Sequence, residues 1–129
     1  MSNIFQNQVS FEVDQIPMDE GQTIDLGTTE SDRVFYPEKL LVICETAPSI
    51  LGLMALSVGT NASSYNNVVA ASLVVGLTVA DKLLTLTPPA GPVLGVPGGS
   101  TLKAKVSVPA TSGGAMRLIL VGFYGNYTI

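Results

Sequence analysis

Histidine and tryptophan are both missing from this chain of 129 residues, and there is a single cysteine. Without histidine there is no Ser–His or Cys–His nucleophile pair, and the commonest metal ligand is gone. A lone Cys44 can form neither an internal disulfide nor a Cys-based zinc site within the chain. It stands in the apolar run Leu40-Leu41-Val42-Ile43-Cys44, the setting of a small core residue rather than a reactive thiol. The chain is therefore read as no enzyme, with no cofactor and no metal.

Charge is scarce as well. Asp, Glu, Lys and Arg make up 12% of the residues, about half the share of an average soluble domain, while 47% are hydrophobic. A small domain keeps much of its surface in water. Either Ser, Thr, Asn and Gly solvate that surface, or other subunits bury part of it, and we expect a mixture dominated by self-association. The charge is also uneven. Glu12, Asp14, Asp19, Glu20, Asp25, Glu30 and Asp32 precede the first cation, Arg33. Such an acidic segment repels phosphate, which argues against nucleic-acid binding. Nothing resembles a signal peptide at residues 1–6, and the most apolar stretches, 49–58 and 68–80, fall short of the ~20 residues of a membrane-spanning helix. No membrane partner is expected, and synthesis in a cytoplasm is.

What the chain does have is strand periodicity. Val9, Phe11 and Val13 alternate with Ser10, Glu12 and Asp14. Further candidates are 23–26, 33–36, 39–46, 50–58, 73–78, 83–87, 102–108 and 117–124, with Leu102, Ala104, Val106 and Val108 sharing one face. Eight prolines and thirteen glycines, spread along the chain, interrupt helices repeatedly. Only 67–79 has room for a helical turn or two, and its β-branched residues weaken that reading. About eight short strands with regular turn signals predict an all-β protein: a single antiparallel β-sandwich of jelly-roll type over residues 1–129, with residues 1–8 as an extended N-terminal arm. Residues 40–44 and 118–123 are apolar at both parities. One face of each sandwich strand normally meets water, so these two need a second cover, from a loop or from another subunit.

Other chemistry is thin. The stretch from Gly95 to Thr101 superficially resembles a phosphate loop, but its spacing is wrong and it leads into a strand; it reads as a tight turn. Asp14, Asp19 and Glu20 read as solvated acidic loops ahead of a calcium site or a catalytic carboxylate pair. Tyr65, in a Ser/Asn-rich loop, is the one aromatic well placed to stack on a ligand; the other aromatics read as packing residues.

Several segments share a recognisable style. They are the polar start at residues 2–8, Ser57-Val58-Gly59-Thr60 with the Ser/Asn loop after it, and Val96-Pro97-Gly98-Gly99-Ser100-Thr101-Leu102-Lys103-Ala104-Lys105-Val106. The small-residue turn 110–115 and the final strand, closing on Tyr124-Gly125-Asn126-Tyr127, complete the set. Over roughly residues 33–129 the chain resembles the small jelly-roll decoration (cement) and accessory structural proteins of tailed-bacteriophage virions. That resemblance implies a homotrimer on the virion, contacting the major capsid protein or another virion protein, often through an N-terminal arm. Leu41, Ile43, Leu120 and Phe123 are then expected in the core or subunit interface, and Ile4, Phe5 and Phe11 in an arm contacting a partner. The rival expectation is a receptor- or glycan-binding jelly-roll module of a phage fibre or neck, using Tyr65 and the loop at 88–99.

Overall fold

The computed structural model describes residues 8–88 and 95–127, with side-chain surroundings through Gly125. Its eight strands are β1 (Gln8–Pro17), β2 (Gln22–Thr28), β3 (Arg33–Thr46), β4 (Ala55–Gly59), β5 (Val69–Leu73), β6 (Leu83–Leu86), β7 (Thr101–Val108) and β8 (Ala115–Tyr127). There is no helix among the described residues, 67–79 included. The strands form two four-stranded antiparallel sheets, ordered β1-β8-β3-β6 and β2-β7-β4-β5. The chain is in effect folded in half at the β4–β5 connection. Each strand of the first half pairs with its mirror in the second: β1 with β8, β2 with β7, β3 with β6 and β4 with β5.

Alternation builds the core between the sheets. From the first sheet come Phe35, Leu40, Val42, Cys44, Met116, Leu118 and Leu120; from the second, Leu56, Val58, Leu102, Ala104 and Val106. Connecting segments add Met18, Met54 and Leu77, flexible or branched side chains that seal the ends. Burying one Leu of this kind contributes about 1.5–3 kcal/mol of transfer free energy.

Local chemistry decides where strands bend. In β1 the inward parity runs through Val9, Phe11 and Val13, then slips to Ile16 across a register shift. Gln15 takes up the extra residue with φ 55°, and its N–H donates to Glu45 Oε1 at 2.7 Å. The prediction of separate strands at 33–36 and 39–46 is corrected to one, β3. Pro37 does not end it, because a register shift between Pro37 and Lys39 absorbs the missing N–H. Opposite Pro37 lies Gly122, where an added Cβ would collide with the Tyr36 carbonyl and the Phe35 ring, so β3 and β8 meet closely only with glycine there.

Two apolar runs are less extended than expected. Of 50–58 only 55–58 joins a strand: Gly52 turns the chain at φ +60°, and Ile50 forms just an isolated bridge with Thr111. The predicted strand at 73–78 is displaced to β5, and the chain turns at Gly76 with φ +84°. Val108 keeps the parity of Val106 but runs past the core, and is 45% exposed.

Candidate interaction surfaces

The cross-strand register sets out the outer face of the first sheet row by row. Arg117, Ile43 and Leu83 lie side by side; the next row is Glu12, Ile119, Leu41 and Thr85; then Ser10, Val121 and Lys39; then Gln8, Phe123 and Tyr36. An apolar stripe thus runs along β8 and β3, bordered by the polar residues of β1. Ile119, Val121, Leu41 and Ile43 are half-buried, while Leu83 and Phe123 are exposed. The rings of Phe123 and Tyr36 stack at 5.7 Å, extending the stripe to the end of the sheet. No described strand crosses this face.

At the other end of the stripe sits Arg117. Its guanidinium faces Glu12 at 3.6 Å, Asp14 at 3.7 Å and Glu45 at 3.8 Å, and its buried Nε has no hydrogen-bond partner among the described residues. These separations are ionic rather than hydrogen-bonded, so each pair contributes little in water. One cation against three carboxylates still leaves this corner acidic.

The site residues expected from sequence separate into distinct places. Leu41, Ile43 and Phe123 lie on the outer stripe; Leu120, of opposite parity, is wholly buried between the sheets. Phe11 does not hang in an arm. It sits in β1, edge-on to Phe35 at 5.3 Å, and Phe35 in turn meets Tyr124 at 5.7 Å, so this aromatic series ties the edge strand to the core. Ile4 and Phe5 lie outside the described residues, as does most of the arm at 1–8.

A second apolar region was missed from sequence. Leu73 and Val108 flank Ala55 in the second sheet, and with Ile50, Leu53 and Val75 they are exposed by 45–71%. The signal available was Gly52, which breaks the run 50–58 and turns Ile50 and Leu53 outward.

On the outer face of the second sheet, Asp25, Thr60, Tyr65, Ser100, Thr101 and Lys103 line an open groove of about 620 Å³. Tyr65 is half-buried, and the Lys103 ammonium lies 5.8 Å from its ring centroid. Of the expected ligand loop at 88–99, residues 89–94 lie outside the described set, and the turn at Pro97 leads into the groove wall at Ser100.

The other acidic candidates serve the backbone or solvent. Asp19 accepts a hydrogen bond from the Gly113 N–H at 2.8 Å, and Glu20 is exposed. Among the described residues no three His, Cys, Asp or Glu side chains are grouped to hold a metal ion. Burial pushes the Cys44 thiol above its ordinary pKa, and Asp81 and Glu45 add repulsion in the same direction.

No protein-family model and no curated protein matches this sequence. Two solved structures share its fold. In the capsid of Ralstonia phage GP4, the superposition covers 92% of this chain and 84% of the other at 20% identity, with a TM-score of 0.60. In the capsid asymmetric unit of cyanophage Pam1 it covers 91% and 84% at 14% identity, also with a TM-score of 0.60. Both matches are to phage capsids. At these identities they show a common β-sandwich over nearly the whole chain.

Proposed function

We propose that this chain is a phage virion structural protein, a capsid decoration (cement) subunit that self-associates and seats on the head shell. The observation that carries the reading is the apolar stripe Leu83, Ile43, Leu41, Ile119, Val121 and Phe123 on a regular sheet face that no described strand covers. Contiguous apolar surface of this kind marks a protein contact. The half-folded winding supports a jelly-roll reading of the β-sandwich, and the fold shared with two phage capsid structures supports the virion role. In this arrangement the stripe packs subunits together as a homotrimer, while the N-terminal segment, Ile4 and Phe5 included, reaches the major capsid protein or another virion protein. Stable interfaces of this sort bury about 800 Å² per partner.

Light scattering across a dilution series tests the association. The expected mass is three times the 13.4 kDa of the chain, falling to the monomer in Ile43→Lys, which places a charge in the stripe. A wild-type monomer at all concentrations would remove the basis of the proposal. Co-sedimentation with phage head shells then tests the decoration role, which binding only to tail or neck fractions contradicts.

A further inference from the structure

The groove on the second sheet is built more firmly than a surface hollow between loops. One wall is the β4–β5 loop, cross-strapped by its own asparagines. Asn67 Oδ1 accepts from the Thr60 N–H at 2.7 Å, and Asn67 Nδ2 donates to Thr60 Oγ1 at 2.9 Å. Asn61 Oδ1 accepts from the Asn66 N–H, and Asn61 Nδ2 donates to Asn66 Oδ1, both at 2.9 Å. These bonds hold Ser63 at φ 75° and Tyr65 at φ 43°, a left-handed backbone that non-glycine residues adopt only when their surroundings enforce it.

The opposite wall is fixed by a buried hydroxyl. Thr29 Oγ1 donates to the Pro97 carbonyl at 3.1 Å and accepts from the Ser100 N–H at 3.0 Å, which pins the turn leading into β7. The floor is the sheet itself, where Asp25 and Lys103 are cross-strand partners.

We propose that this groove is a saccharide-binding site, with Tyr65 as the platform for the apolar face of a pyranose ring. The lining supplies the mixture that a sugar presents. Asp25 offers acceptors and Lys103 donors. Thr60 Oγ1, already accepting from Asn67, keeps its hydroxyl hydrogen to donate. Ser100 Oγ donates to the Pro97 carbonyl at 2.6 Å, and so offers acceptors to a ligand. A volume of about 620 Å³ admits a short saccharide. Asp25 balances Lys103, and Lys105 already donates to the Ser63 carbonyl at 2.7 Å. The groove therefore lacks the surplus of cations that phosphate recognition needs, which sets it apart from a nucleic-acid or nucleotide site. The groove and the apolar stripe lie on opposite outer faces, so the two proposals stand independently.

The test is saturation-transfer NMR on the full chain with methyl pyranosides of glucose, galactose, mannose and N-acetylglucosamine, followed by a glycan array. The expected result is transfer to ring C–H protons of at least one sugar, with shifts of the Thr101 and Lys103 amides. Tyr65→Ala weakens binding by about tenfold or more, the scale of one good aromatic contact. Asp25→Asn, which keeps side-chain size at an exposed strand position, weakens it as well and reads the site if Tyr65→Ala perturbs the loop. The absence of transfer from every pyranoside and of any array signal, or binding unchanged in both variants, overturns the assignment.

Discussion

Neighbouring leucines in the sequence answer to different partners in space. Leu120 is enclosed between the sheets, and Leu120→Ala should cost about 2–5 kcal/mol in urea unfolding. Leu41 lies on the outer stripe beside Ile119, so Leu41→Ala should change monomer stability by less than about 1.5 kcal/mol while shifting the oligomer toward monomer on dilution. Equal losses at the two positions would mean that the stripe is covered within the chain. Cys44 behaves as a core residue. A thiol-specific reagent should label it at a negligible rate in the folded protein and completely in denaturant. Its raised pKa also carries a sign. The folded state holds the proton to higher pH than the unfolded one, so stability is full below the thiol's unfolded pKa. It then falls as pH rises from that value through the folded one. A urea midpoint that rises with pH in this alkaline window, relative to a Cys44→Ala control, contradicts the assignment.

At the scale of elements, single polar contacts fasten the connections that apolar packing leaves loose. Thr29 is 3% exposed and its hydroxyl serves both the Pro97 carbonyl and the Ser100 N–H. Thr29→Val preserves shape, orphans the Ser100 N–H and leaves the Pro97 carbonyl only the bond from Ser100 Oγ; it should cost about 1–3 kcal/mol, with faster hydrogen exchange at the Ser100 amide as the local readout. Gly59 closes the β4–β5 loop. A Cβ there would meet the backbone of Tyr65 and Asn66 and the Asn67 amide oxygen, so Gly59→Ala should destabilise by about 1–3 kcal/mol in urea unfolding. Strand content was readable where one parity is apolar and the other polar, as in β1 and β7. It was misread where the run is apolar throughout, because period alone cannot locate a turn inside such a run. Gly52 and Gly76 end their segments by positive φ, while Pro37, which looked like a stop, passes through on a register shift.

At the scale of the molecule, the winding joins the two ends of the chain: β1 pairs with β8. Sheets closed by such distant partners must bring far segments together before the contacts reward it. Stopped-flow refolding should therefore take milliseconds to seconds, and a microsecond phase carrying most of the amplitude contradicts this topology. The same closure puts β1, and with it Gln8 of the expected arm at residues 1–8, at the edge of the first sheet. Removal of residues 1–8 should leave the oligomer intact and weaken co-sedimentation with shells. Undiminished binding of the truncated protein excludes the N-terminal segment as the contact.

The amino-acid sequence by itself determined the class of the protein. Proline and glycine at short intervals, alternating apolar positions and a sparsely charged composition leave a β-sandwich. The absence of histidine removes most catalytic chemistry. The tertiary structure alone decided what lies next to what. Sheet order set Leu41, Ile119 and Val121 in one stripe although β3 and β8 are far apart in the chain. A bulge at Gln15 turned Ile16 inward, and Phe11 took a place in β1 packed against the core rather than in an arm. Tyr65 was visible as an aromatic in a polar loop, but Asp25 and Lys103 join it only through the β2–β7 pairing and the fold of the Asn-strapped loop. The physical reason is the same throughout. Side-chain pattern is a local property, fixed over a few residues, whereas a surface is assembled from strands whose pairing depends on the whole core.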